Sequence, residues 1–248
     1  MRQKETVKPN AEFPLQKMGV GVSLAIFGTA SILLILETKF LIPALSQTTG
    51  IEPIFFWFIV AGLGIFTPLL ITAVLILKKE GALFQPGFWI SRLRFKQLNT
   101  RDWLWSLGAI IAIGIFSFGL MKGLEAIAGP MDHQPVFMSF EPLAPGRYWL
   151  LAIWFPYWIL NIMGEEILWR GTMLPRQEIA FGKRTWILHG AGWGLFHIAF
   201  GWQLLITLLP IIFIQSYVVQ RRQNTWIGVI IHAGINGPGF LAIAFGIV

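Results

Sequence analysis

The chain has no cysteine among its 248 residues. Disulfides, thiolate-held zinc or iron–sulfur centres and a cysteine nucleophile are therefore all excluded. Charge is scarce as well: Asp, Glu, Lys and Arg make up 12% of the sequence, against 55% hydrophobic residues. A soluble chain of this length could bury a core of its own, but it would need far more polar surface than is available here. The apolar residues instead form several runs longer than the roughly 18 residues that mark a bilayer-spanning helix. These shortages point to a polytopic, all-α membrane protein. Acidic residues are the scarcest charge, 12 against 19 basic, which leaves a net charge of +7. Such a surplus raises the question of nucleic acid only after the basic residues have been tested against membrane topology.

The apolar runs predict seven transmembrane helices, within a range of about six to eight, at about 18–44, 53–77, 103–127, 147–168, 185–202, 204–220 and 225–247. Between the fifth and sixth only Gly201, Trp202 and Gln203 are available for a turn, so the chain is expected to bend there within the membrane. With the N-terminus in the cytoplasm, 16 of the 19 basic residues fall in or beside inside segments, and only Lys39, Lys122 and Arg147 fall outside. That bias follows the positive-inside rule. The positive charge is thus a topology signal, and nucleic acid is not an expected partner. The first 17 residues are polar, and the apolar run after them is too long for a signal-peptide core, so the first span is expected to be retained. The small-residue spacings Gly119-x-x-x-Gly123 and Gly190-x-x-x-Gly194 predict close helix approaches.

Ionisable groups inside spanning helices cost several kcal/mol unless paired or facing a wet cavity, so each is a functional candidate. They gather in the C-terminal half: Glu165 and Glu166 at the end of the fourth span, His189 and His197 in the fifth, His232 with Asn236 in the seventh. At about 100° per residue, Glu166 and Arg170 share a helix face whereas Glu165 points elsewhere. Glu166 is therefore expected to pair with Arg170, and Glu165 to face a partner helix. Trp193 and His197 are four apart, so the aromatic ring would pack beside the imidazole. His232 and Asn236, also four apart, could aim two donors at one developing negative charge, or act as hydrogen-bonding glue between helices. The two glutamates could equally be interfacial and solvated. Together, a carboxylate, two histidines and an amide from three helices suit hydrolysis by activated water, with the glutamate as general base. No H-E-x-x-H occurs, which excludes a zincin arrangement, yet Glu165, His197 and His232 could supply three zinc ligands with water as the fourth.

The three segments together resemble the CPBP family (also called Abi), the intramembrane endopeptidases that include CAAX prenyl proteases and proteins linked to bacteriocin processing or immunity. "EEILWR", Glu165 to Arg170, is similar to the family's E-E-x-x-x-R; "WGLFH", Trp193 to His197, to F-x-x-x-H, with Trp in the aromatic place; and "HAGIN", His232 to Asn236, to H-x-x-x-N. The resemblance implies a tail over 1–17, family-variable helices over 18–146 and catalytic helices over 147–248. It further implies that Glu165 and His197 activate the attacking water and that His232 and Asn236 stabilise the oxyanion. Glu166, Arg170 and Trp193 would support them. Family members have been described both as metalloproteases and as glutamate peptidases. Because Asn236 is a poor zinc ligand and a good amide donor, a mechanism without a metal cofactor is expected, with zinc the alternative.

The expected protein is an integral membrane endopeptidase of a bacterial cytoplasmic membrane, whose partners are the bilayer and a membrane-bound or lipid-proximal peptide substrate. The rival is a non-catalytic immunity or scaffold protein, or a transporter, although a transporter would more typically show paired half-repeats. The orientation makes a direct prediction: a topology reporter fused after Thr48 should register an external location. Activity there from a reporter that works only in the cytoplasm would overturn the assignment.

Overall fold

The computed structural model of the chain describes residues 15–130 and 135–247. Most of the expected polar tail, 1–14, lies outside the described residues. Among the described residues seven helices account for the fold, numbered here α1 to α7. They are α1 Val20–Thr49, α2 Pro53–Lys79 and α3 Thr100–Ala128; α4 over 149–181, starting as Trp149–Glu165; α5 Thr185–Phe196; and α6 Trp202–Arg222 and α7 Thr225–Ala244. No strand is present among the described residues. This is the all-α membrane architecture that the hydropathy predicts.

Five of the seven, all but α4 and α5, are by themselves long and apolar enough to cross a membrane. The two exceptions carry the polar motifs. Helix α4 packs on α2 and α7, and α5 lies against α1 and α6, so the polar helices gain shelter from apolar ones. That is the arrangement hydrocarbon solvent demands of buried charge.

Three differences from the sequence expectation have physical causes. Helix α4 runs to Phe181 rather than ending near 168, because a wide turn over Glu166–Met173 carries it past the charged cluster. Helix α5 is shorter than expected; a tight 3-10 turn, His197–Phe200, replaces its last turn, and Gly201 alone then links it to α6. Of the small-residue pairs, Gly190 does admit a close neighbour, Phe213 of α6, but Gly119 and Gly123 face open space. Helix α3 makes its contacts through Ser106, Ala109 and Ile113 instead, and its glycine face is left exposed.

The wide turn in α4 is completed from outside the helix. Pro175 has no N–H, so the Gly171 carbonyl four residues earlier lacks its normal helical donor. Arg92, from the turn Phe88–Arg92 between α2 and α3, supplies one: its Nη1 donates to Gly171 O at 2.8 Å, and its Nη2 to Thr172 O at 3.2 Å. The same guanidinium pairs with Glu80 through Nε at 2.6 Å and Nη2 at 3.0 Å. Arg92 is 1% exposed, and its bonds to the two carbonyls are buried. Arg92→Met should therefore destabilise the protein by about 3–5 kcal/mol, the range for removing one partner of a buried pair. Lys122→Met, which breaks a pair whose lysine side chain is 55% exposed, should change stability by less than about 1 kcal/mol. Thermal unfolding in detergent measures both, and equal losses in the two variants would refute the clamp.

Candidate active site

The wide turn begins at the adjacent glutamates and divides them between two networks. Glu166 is fully buried, and its Oε1 accepts from three sources: Arg170 Nη1 at 3.1 Å, Gln215 Nε2 of α6 at 2.8 Å and His232 Nδ1 of α7 at 3.0 Å. One carboxylate oxygen thus ties together α4, α6 and α7. Its other oxygen is turned toward Gly228 of α7, where the absence of a β-carbon makes room for it. Gln215 Nε2 reaches on to the Gly228 carbonyl at 3.3 Å.

Glu165, 2% exposed, takes a different pair of donors. Asn161 Nδ2, one turn earlier on α4, donates to Oε1 at 2.9 Å, and the indole N–H of Trp193 on α5 donates to Oε2 at 2.6 Å. Both donors are neutral, and Glu165 makes no ion pair among the described residues. Trp193 is the centre of what remains. Arg170 Cζ lies 3.7 Å from the centre of its ring, a cation–π contact inside the bundle. The His197 and His232 rings stand edge-on to it at 5.3 and 5.6 Å. His197 Nδ1 lies 2.9 Å from the Trp193 carbonyl oxygen. A carbonyl can only accept, so Nδ1 carries the proton, and in the neutral ring Nε2 keeps its lone pair.

Residues 147–237 match the family model described as type II CAAX prenyl endopeptidase Rce1-like. No curated protein and no solved structure matches the chain. The matched segment holds all seven of the residues singled out by motif, Glu165, Glu166, Arg170, Trp193, His197, His232 and Asn236, and accords with the resemblance read from them.

Within the matched segment the fold brings Glu165, Glu166, Arg170, Trp193, His197 and His232 into one contiguous cluster. Asn236, one turn beyond His232, has an exposed side chain with no hydrogen bond among the described residues. His189 lies apart: its Nδ1 donates to Gln177 Oε1 at 2.6 Å, and Gln177 Nε2 donates to Ser23 Oγ at 2.9 Å, which ties α5 to α4 and α1. Asn161 and Gln215 are site residues that the sequence reading does not pick out. Their signal was present, since each is an amide inside an apolar run, but neutral side chains cost less in a membrane than charges and stand out less.

The zinc alternative calls on Glu165, His197 and His232 as ligands. Each Glu165 oxygen accepts one hydrogen bond, and His232 directs Nδ1 at Glu166, which leaves its Nε2 unengaged. Among the described residues no three His, Asp or Glu side chains converge to hold a metal ion. A test of the packing follows from Gly228. A β-carbon there would stand 3.2 Å from both Glu166 Cδ and Val219 Cγ2, so Gly228→Ala should destabilise the protein by about 1–3 kcal/mol, the usual range for overpacking. Gly239→Ala, a position open on all sides, is the control for the thermal melt; if the two variants melt alike, Gly228 does not make room for Glu166.

Proposed function

We propose that the protein is an intramembrane endopeptidase in which Glu165 acts as general base toward a water molecule held by His197 Nε2. The observation that carries this reading is the unequal treatment of two adjacent carboxylates. Glu166 is paired with a cation and bound by three donors on one oxygen. Glu165 is held by two neutral groups that leave its charge uncompensated by a direct partner. A carboxylate already neutralised by arginine is a weak base, whereas one oriented by neutral donors keeps lone pairs for a proton.

In the proposed reaction Glu165 removes a proton from water, whose oxygen attacks the scissile carbonyl carbon and pushes the carbonyl electrons onto oxygen. Asn236 Nδ2–H and His232 face that oxyanion. His232 Nδ1–H is engaged by Glu166, so Nε2 donates only when the ring holds both protons. Collapse of the tetrahedral intermediate breaks the C–N bond, and protonated Glu165 returns its proton to the leaving amine. No step is routed through a metal. The substrate class is a membrane-bound or lipid-proximal peptide, in a bacterial membrane with the N-terminus inside.

The lack of any hydrogen bond to Asn236 among the described residues favours an oxyanion role over interhelical glue. Its removal should therefore cost little stability. Asn236→Ala is expected to lower kcat by roughly 10²- to 10³-fold, the usual loss for one oxyanion donor, with KM and melting temperature near wild type. Glu165→Gln should abolish cleavage, whether read on a farnesylated CAAX-type peptide in detergent or by comparing the membrane peptidomes of cells carrying either form. Cleavage should also survive treatment with a metal chelator. Unchanged peptidomes and a normal phenotype in Glu165→Gln cells would instead mark a scaffold.

A further inference from the structure

Trp193 bonds to both members of the water-activating pair, and by different atoms. Its side-chain N–H holds Glu165 Oε2 at 2.6 Å, and its backbone carbonyl holds His197 Nδ1 at 2.9 Å. The residue itself is 1% exposed. Its indole is fixed by Arg170 against the ring face and by the two imidazoles edge-on. Glu165 lies on α4 and His197 in the 3-10 turn directly after α5, so their separation would otherwise depend on how those two elements slide past each other.

We propose that Trp193 is a positioning residue whose indole N–H sets the Glu165 carboxylate in register with His197. The inference rests on the peptidase reading above and goes further by assigning the N–H itself a role, beyond packing of the aromatic ring. A carboxylate on a flexible two-carbon stem has many rotamers, and a base must sit within hydrogen-bond reach of the proton it takes. Asn161 restrains one oxygen from within α4, but it moves with Glu165 and carries no information about where His197 lies. The indole N–H is the bond that reaches across to α5. A phenylalanine here would keep an aromatic face and the carbonyl but lose that link.

The clean test replaces Trp193 with β-(3-benzothienyl)alanine, an isostere with sulfur in place of N–H, because Trp193→Phe also empties space in the core. On a quenched, farnesylated CAAX-type peptide in detergent, the isostere should lower kcat by about 10- to 100-fold, the scale of a lost hydrogen bond to a charged group, and leave KM and melting temperature close to wild type. A purely structural Trp193 would lose stability instead, or nothing. In ¹⁵N-indole-labelled protein, the cross-peak that disappears in the isostere should lie downfield in the wild type and move upfield in Glu165→Gln. An isostere that turns over like wild type, or a Trp193 resonance indifferent to Glu165→Gln, overturns the proposal. Failure of the peptidase reading has another signature: Glu165→Gln would cleave normally, or the peptidomes would be identical, while the indole resonance still reports whether Trp193 holds Glu165.

Discussion

The fold depends on compensating the Glu166 carboxylate. An ionised carboxylate moved out of water without partners loses far more free energy than any single contact returns. Here one oxygen collects a guanidinium, an amide and an imidazole, donated from α4 itself, α6 and α7. Satisfying that charge therefore brings three helices to a common point. A purely apolar bundle has no such requirement in lipid, where packing alone discriminates weakly between helix registers. The carboxylate is costly to bury and, once buried, leaves few alternative arrangements.

The wide turn over Glu166–Met173 is the backbone counterpart of that constraint. A regular helix would spend the Gly171 carbonyl on an N–H that Pro175 lacks, and Arg92 brings its own donors to that carbonyl from the α2–α3 connection. Wide turns of this kind recur at functional positions because they re-aim side chains without ending the helix. In this protein the turn separates the surroundings of two neighbouring glutamates. Arg92 and Glu80 lie outside the segment that matches the CAAX-protease family, so the N-terminal helices contribute more than a lipid-facing wall.

Much of this was legible in the amino-acid sequence. Long apolar runs have little choice but to become helices in a membrane, since every backbone polar group must be satisfied within the segment, and the seven helices stand close to where the runs predict them. The motif residues were legible because charge in hydrocarbon is conspicuous. What escaped was neutral or remote. Asn161 and Gln215 hold the carboxylates, yet an amide in an apolar run gives little sign of its partner. Trp193 was read for its ring, and its N–H proved to be the group that meets Glu165. The continuation of α4 to Phe181 was missed because charged residues and a proline ordinarily signal a helix end.

The sequence by itself determined that this is an all-helical membrane protein, and which residues would be too costly to leave unpaired in it. Only the tertiary structure decided which carboxylate is neutralised and which is held by neutral donors. Helical periodicity specifies the direction of a side chain on its own helix, but the groups it meets belong to other helices. Their approach is set by packing across the whole bundle, and no local pattern in the chain encodes it.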